Sequence, residues 1–269
     1  MPETSLGLID GRRAFGGDPD NYDNARPGYP PRVFALLAEQ CGVGPGTRGF
    51  EIGPGTGLAT RHLLDLGIAE LVAAEPDERL AAKLRQRIDD ERLSIIVSPF
   101  EQAELATAGF DFGASATAFH WLDQRPALTK VAALLRPNGW WASWWNVFGD
   151  AERDDPFHEA TQVLLGNLGA SPSHPVSWRH PFALDAEARI ADLQSVGAFA
   201  DIAHEVLRWT LVLDARQVRA LYATFSNITV LPEPQRLSIL DGLVEIAATE
   251  FAGRVERNMV TAVYTARRT

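Results

Sequence analysis

The chain has 269 residues, with 25 Lys and Arg against 35 Asp and Glu, a formal net charge of −10. That length allows one large domain or a domain with an appended subdomain, and 46% hydrophobic with 22% charged residues is an ordinary globular mix that excludes a disordered tail. An acidic chain with no Lys/Arg cluster interleaved with aromatics is a poor match for a phosphate backbone, so small molecules are expected as partners and nucleic acid is not. The single cysteine, Cys41, excludes an intrachain disulfide framework and every multi-cysteine metal site, and suits a reducing compartment. No apolar run approaches the roughly 18 residues that span a bilayer. Arg12-Arg13 is followed by Ala14 to Pro19 without the apolar stretch of an export signal, so a cytoplasmic protein without membrane attachment is expected.

Residues 1–30, rich in Gly, Pro, Asp and Asn, read as an extended lead-in. Their segment from Tyr22 through Arg26 and Tyr29 either closes over a ligand or forms a surface loop. From Pro31 a helix with Val33, Leu36 and Leu37 on one face runs to Ala38 and stops at Cys41-Gly42. Five strands are predicted at Gly49–Ile52, Leu71–Ala74, Leu93–Val97, Phe112–Ala118 and Trp140–Trp145. Helices are predicted between them at Leu58–Leu66, Glu78–Ile88 and Asp123–Leu135, the last capped by Asp123. Strand and helix in alternation imply right-handed crossovers and a mostly parallel sheet, an α/β fold over residues 31–146. Past Asn146 helices at 156–168 and 185–196 suggest an insertion or cap. A strand at 202–213, helices after Asp214 and over 234–251, and a final strand at 259–266 complete residues 147–269.

The densest segment is Glu51-Ile52-Gly53-Pro54-Gly55-Thr56-Gly57, in which a strand ends in an acid and three alternate glycines lead into a helix. Glycine is needed where the backbone turns sharply and a ligand must come within van der Waals contact of the main chain. The next strand ends in Glu75-Pro76, which places a carboxylate where it can take both hydroxyls of a ribose. A dinucleotide fingerprint would put a small residue where Leu58 stands, and Glu51 beside a pyrophosphate would be costly. The balance favours a nucleoside ligand that carries positive charge over a nicotinamide dinucleotide.

These motifs resemble the class I S-adenosylmethionine-dependent methyltransferases, in the small-molecule branch that includes trans-aconitate-type enzymes. Besides the glycine loop and Glu75, the fourth-strand motif is similar to Ala118-Phe119-His120-Trp121-Leu122-Asp123, and the turn before the fifth strand to Leu134 to Gly139. The resemblance covers residues 20–146 in motif and the rest in layout alone. It implies a doubly wound, mostly parallel seven-stranded sheet of Rossmann-like methyltransferase type, with the last strand antiparallel between the fifth and sixth. It implies S-adenosylmethionine as cofactor, with Glu51, Gly53, Gly55, Gly57, Glu75, Pro76 and Ala118 around it and Phe100 and Glu101 near adenine. Tyr22 and Arg26 would close over it, Arg26 facing its carboxylate.

Methyl transfer from a sulfonium to an oxygen or nitrogen is an in-line displacement in which positioning supplies much of the acceleration. His120, just after the fourth strand at the ligand-binding edge, is the candidate catalytic base, against the readings in which it only hydrogen-bonds or orients a ligand. Tyr29, Trp121, Trp145 and Asn146 are candidates for the wall of the acceptor pocket, of which residues 147–252 are expected to form much. The four tryptophans at 140, 141, 144 and 145 fall two on each sheet face, and most are expected to be core. His158, His174, His180 and His204 show no ligand spacing, so no metal site is expected. Asp154-Asp155 reads as a helix start or a solvated pair.

Overall fold

A computed structural model describes residues 25–166, 168 and 181–269. Tyr22, His174 and His180 lie outside the described residues. The helix α1 (Pro31–Cys41) starts on a proline whose missing N–H costs nothing at a helix start, and ends where Gly42 turns left-handed at φ 65°. Then β1 (Arg48–Ile52), α2 (Leu58–Asp65), β2 (Glu70–Glu75), α3 (Glu78–Arg87), β3 (Leu93–Val97) and β4 (Phe110–Ala116) alternate, followed by α4 (Gln124–Leu134) and β5 (Leu135–Phe148). The later elements are α5 (Pro156–Leu165), α6 (Ala186–Ser195), β6 (Phe199–Asp214), α7 (Ala215–Tyr222), α8 (Ser226–Thr229), α9 (Glu233–Glu250) and β7 (Arg254–Arg268).

The seven strands form one sheet in the order β3-β2-β1-β4-β5-β7-β6, with β3 through β5 joined by parallel pairs. The last strand is thus inserted between the fifth and sixth, as the resemblance implied. Because β1, β2, β4 and β5 run the same way, the segments that follow Ile52, Glu75 and Ala116 all leave from one edge. Strands β5 and β7 are about twice as long as the apolar runs that announced them, and β6 extends slightly beyond its run at both ends. At β5 the extra residues include Pro137-Asn138-Gly139, which read as a turn, yet Leu135 still pairs with Phe110 through an irregular register.

One compact unit comprises Gly28–Asn146, Phe182–Leu207 and Thr261–Thr269. Its core packs α1 and α2 against one sheet face through Val33, Leu37, Leu63, Leu71, Phe112 and Trp144. Trp140 and Trp144 lie on this face, while Trp141 stacks 6.3 Å from Phe50 on the other. A Cβ on Gly49 would stand 3.4 Å from Leu71 and 3.7 Å from Ile68, ordinary van der Waals contact, so packing alone does not require a glycine there. The described residues of the other unit lie before Gly28 and in Val147–Pro181 and Arg208–Val260. Its own core joins α5, α7 and α9 through Phe157, Val218, Leu221, Leu240 and Leu243. Asp214 starts α7 with a reciprocal capping box to Gln217. No helix among the described residues is long and apolar enough to cross a membrane, and no group of His, Cys, Asp or Glu among them could hold a metal ion.

Candidate functional site

The glycine loop follows β1 at the carboxyl edge, tied to β2 by the Gly53 N–H on the Ala74 carbonyl at 2.9 Å. All three glycines have positive φ, 64°, 58° and 95°, but their surroundings differ. A Cβ on Gly53 would stand 2.6 Å from the Ala118 Cβ, and one on Gly57 would stand 2.5 Å from Leu84 in α3. A Cβ on Gly55 would meet nothing within 4 Å, so its freedom serves the loop's conformation and leaves an open approach to the main chain. Ala118 therefore belongs to the same cradle, facing Gly53 from the segment after β4.

Two carboxylates line this cradle. Glu75, 4% exposed, accepts the Gly55 N–H at 2.9 Å on one oxygen and the Asp77 N–H at 3.0 Å on the other. Pro76 between them has no N–H to compete. Each oxygen keeps a further lone pair, enough for a vicinal diol. Glu51, 1% exposed, accepts the Thr60 hydroxyl at 2.7 Å, and its other oxygen has no partner. Burial pushes both acids up to about 7, and each gains from hydrogen bonds that pull the other way. A buried carboxylate oxygen left unpaired, beside an open stretch of main chain, suits a ligand that brings a positive charge or N–H donors. The Thr56 hydroxyl, also buried and without a partner, adds a polar group there that the sequence reading did not single out.

On the far side of this edge, Phe100 does not offer its ring as a wall. The ring is 3% exposed, stacked 6.3 Å from Phe50 and with the Lys130 ammonium 4.9 Å from its centroid. Lys130 donates to the carbonyls of Phe100 at 2.6 Å, Ala103 at 2.7 Å and Glu101 at 3.3 Å, so this loop is held by its backbone. The Glu101 residue is exposed.

His120 sits in a single 3-10 turn, Phe119–Trp121, directly after β4. Asp123 occupies the start of α4 with its side chain bonding none of the helix's first N–H groups. Gln124 instead donates to the Phe119 and Leu122 carbonyls at 2.9 and 2.8 Å and holds the turn in shape. The Trp145 indole N–H donates to His120 Nδ1 at 3.0 Å, while Nε2 is shielded from water and has no partner. Desolvation pulls the imidazole down to about 3, so it is neutral near pH 7. Trp121 and Trp145 are buried; Trp121 packs 4.8 Å from the His120 ring, and Phe182 lies 5.4 Å from Trp145.

The chain at Gly28-Tyr29 is fastened to the same edge. Tyr29 hydrogen-bonds the Thr117 hydroxyl at 3.0 Å and sits 5.9 Å edge-on to Trp144. Asn146 donates to the Gly28 carbonyl at 3.1 Å and accepts from Thr261 at 2.7 Å. Thr117 is held at φ 54°, a strained conformation for a β-branched residue, with its N–H on the Trp144 carbonyl at 2.7 Å. Nothing in a threonine's sequence context announces a left-handed backbone, so it was missed. Arg26 lies in the other unit, donating to the Thr224 carbonyl at 3.1 Å with its guanidinium 5.2 Å from the Phe225 ring.

Residues 50–143 match the model of a family described as a methyltransferase domain. Across 94% of this chain and 96% of its own length, an uncharacterised methyltransferase of Schizosaccharomyces pombe is 24% identical. A ribosomal RNA small subunit methyltransferase A of Thermosynechococcus vestitus is 40% identical over 77 residues, 29% of either chain. Among solved structures, a phosphoethanolamine N-methyltransferase 2 of Haemonchus contortus shares the fold with a TM-score of 0.60 at 16% identity. That likeness covers 99% of this chain and 61% of the other, so the chain spans less than two thirds of that protein.

Proposed function

Because the chain is a class I S-adenosylmethionine-dependent methyltransferase, we propose that it transfers the methyl group to an oxygen or nitrogen of a small-molecule acceptor bound at the carboxyl edge beside His120. The observation that carries this reading is the pairing of an open, positively twisted glycine loop with two buried acids on one side of that edge and a neutral histidine among aromatics on the other. S-adenosylmethionine supplies an electrophilic methyl on a positively charged sulfur. Glu75 would take the ribose hydroxyls with its spare lone pairs, and the unpaired oxygen of Glu51 would face the cationic part. Gly55 leaves the main chain bare for close approach, with Gly53 and Ala118 packed against each other beside it.

His120 and the rings around it would form one wall for the acceptor. Trp121 and Trp145 are buried against the histidine and set its orientation from behind. Tyr29, fixed to Thr117, would close that edge from the amino-terminal side. In-line transfer gains chiefly from holding the attacking atom and the methyl carbon in register, a task for rigid walls. The net charge of −10 favours a small acceptor over a nucleic-acid backbone.

Two experiments test this. Calorimetric titration is expected to give micromolar binding of S-adenosylmethionine and S-adenosylhomocysteine and none of NAD. Incubation of the protein with methyl-labelled S-adenosylmethionine and a cell extract is then expected to place label in the low-molecular-weight fraction. Label recovered in RNA or protein instead would overturn the acceptor class.

A further inference from the structure

We infer that Trp145 is a positioning residue that fixes His120 as its Nε2–H tautomer, so that the wall offers the acceptor a hydrogen-bond donor and not a proton-abstracting nitrogen. This rests on placing the acceptor beside His120. An indole N–H can only donate. With Trp145 Nε1 3.0 Å from His120 Nδ1, that ring nitrogen must hold its lone pair, and the single proton of a neutral imidazole is on Nε2. The arrangement is the inverse of a catalytic dyad, in which a carboxylate accepts from Nδ1–H and thereby leaves a lone pair on Nε2.

Trp145 is buried and packed by neighbouring rings. Its ring lies 5.4 Å from Phe182 and 6.1 Å from Tyr264. Tyr264 is itself anchored by its hydroxyl on the Ala183 carbonyl at 2.7 Å. Phe182 is clamped by Arg189, which donates to its carbonyl at 3.0 Å and lies 3.6 Å over its ring. The one polar atom of the imidazole left for a ligand is Nε2, buried and without a partner in the protein. A donor in that position recognises an atom with a lone pair to spare, such as a carbonyl, carboxylate or hydroxyl oxygen, and gives nothing to an ammonium.

The tautomer can be read without any substrate. In protein labelled with nitrogen-15 histidine, His120 is expected to show an unprotonated Nδ1 and a protonated Nε2. Replacing Trp145 by benzothienylalanine, which keeps the bicyclic shape and lacks the N–H, is expected to shift the signals toward a mixture of tautomers, and Trp145→Phe to do the same. A protonated Nδ1 in the unmodified protein, or no shift in the benzothienylalanine protein, would overturn the inference. Neither measurement needs cofactor or acceptor, so a failed methyl-transfer assay and a failed tautomer assignment are separable results.

Discussion

The three glycines of the loop share a left-handed backbone but not a task, and substitution separates them. Gly55→Ala adds a methyl where the protein has empty space, so the fold should survive with about 1 kcal/mol of backbone strain. The methyl would occupy the ligand's approach, and the dissociation constant for S-adenosylhomocysteine is expected to rise about tenfold or more, equivalent to roughly 1.4 kcal/mol. Gly57→Ala drives its methyl to 2.5 Å from Leu84 and should lower the melting temperature first, which a thermal melt beside the titration would show. Glu51 offers a pH test. Its folded value of about 7 lies above the ordinary 4.5, so between these limits the folded protein holds a proton that the unfolded chain has lost. In the wild type this carboxyl therefore costs stability progressively as pH rises from 4.5 to 7. Glu51→Gln has no such proton, keeps an acceptor for Thr60 and supplies a neutral amide. Its stability relative to wild type is expected to grow across that window, by on the order of 2 kcal/mol, while cofactor affinity falls. Urea melts of both proteins at about pH 5 and about pH 7.5 check it, and a difference that is the same at both would count against the assignment.

Among the elements, α4 does more than cover the sheet. Lys130, on its outer turn, gathers the carbonyls of Phe100, Glu101 and Ala103 under one ammonium, and so sets the loop beyond β3 against the cofactor edge. Lys130→Met keeps the stem but leaves those carbonyls without their donor, so a loss of about 1–3 kcal/mol is expected. Faster amide exchange confined to the β3–β4 loop would identify the cause. This staple was not legible in the sequence, because it joins residues from two segments through one flexible side chain. The elements themselves were: among the described residues, periodicity located each α-helix from α1 to α9 except the short α8, and the glycine loop was placed correctly because strand, turn and helix signals coincide there. What periodicity missed was strand length. Long β5 and β7 carry charged, prolyl and glycyl residues, and backbone pairing with a neighbour, which no single segment reveals, keeps them in the sheet. The same limit applies to function. His120 was legible as a residue at the right edge, but the tautomer inferred for it depends on Trp145, a partner that only the fold brings within 3.0 Å.

At the scale of the whole molecule, the apolar core formed by α5, α7 and α9 contains a buried ion pair where a solvated or helix-starting acid was expected. Asp155 does start α5, accepting the His158 N–H at 2.9 Å, but its second oxygen takes the Arg257 guanidinium at 2.9 Å. Arg257 also donates to the Tyr222 hydroxyl and lies 5.9 Å from the Phe157 ring. Arginine and acid are only 3% and 8% exposed. A pair this deep gains little over a well-packed apolar substitute, yet removing one member strands the other charge. Arg257→Met is therefore expected to cost about 3–5 kcal/mol, with exchange protection falling in α5, α7 and α9. Adding Asp155→Asn to it removes the stranded charge and keeps a residue that caps helices well. The double variant should then be more stable than Arg257→Met alone, a non-additivity that equilibrium denaturation of the two single variants and the double variant would measure. If the second substitution only added to the loss, Arg257 would be acting through its packing on the aromatic rings and not through its charge.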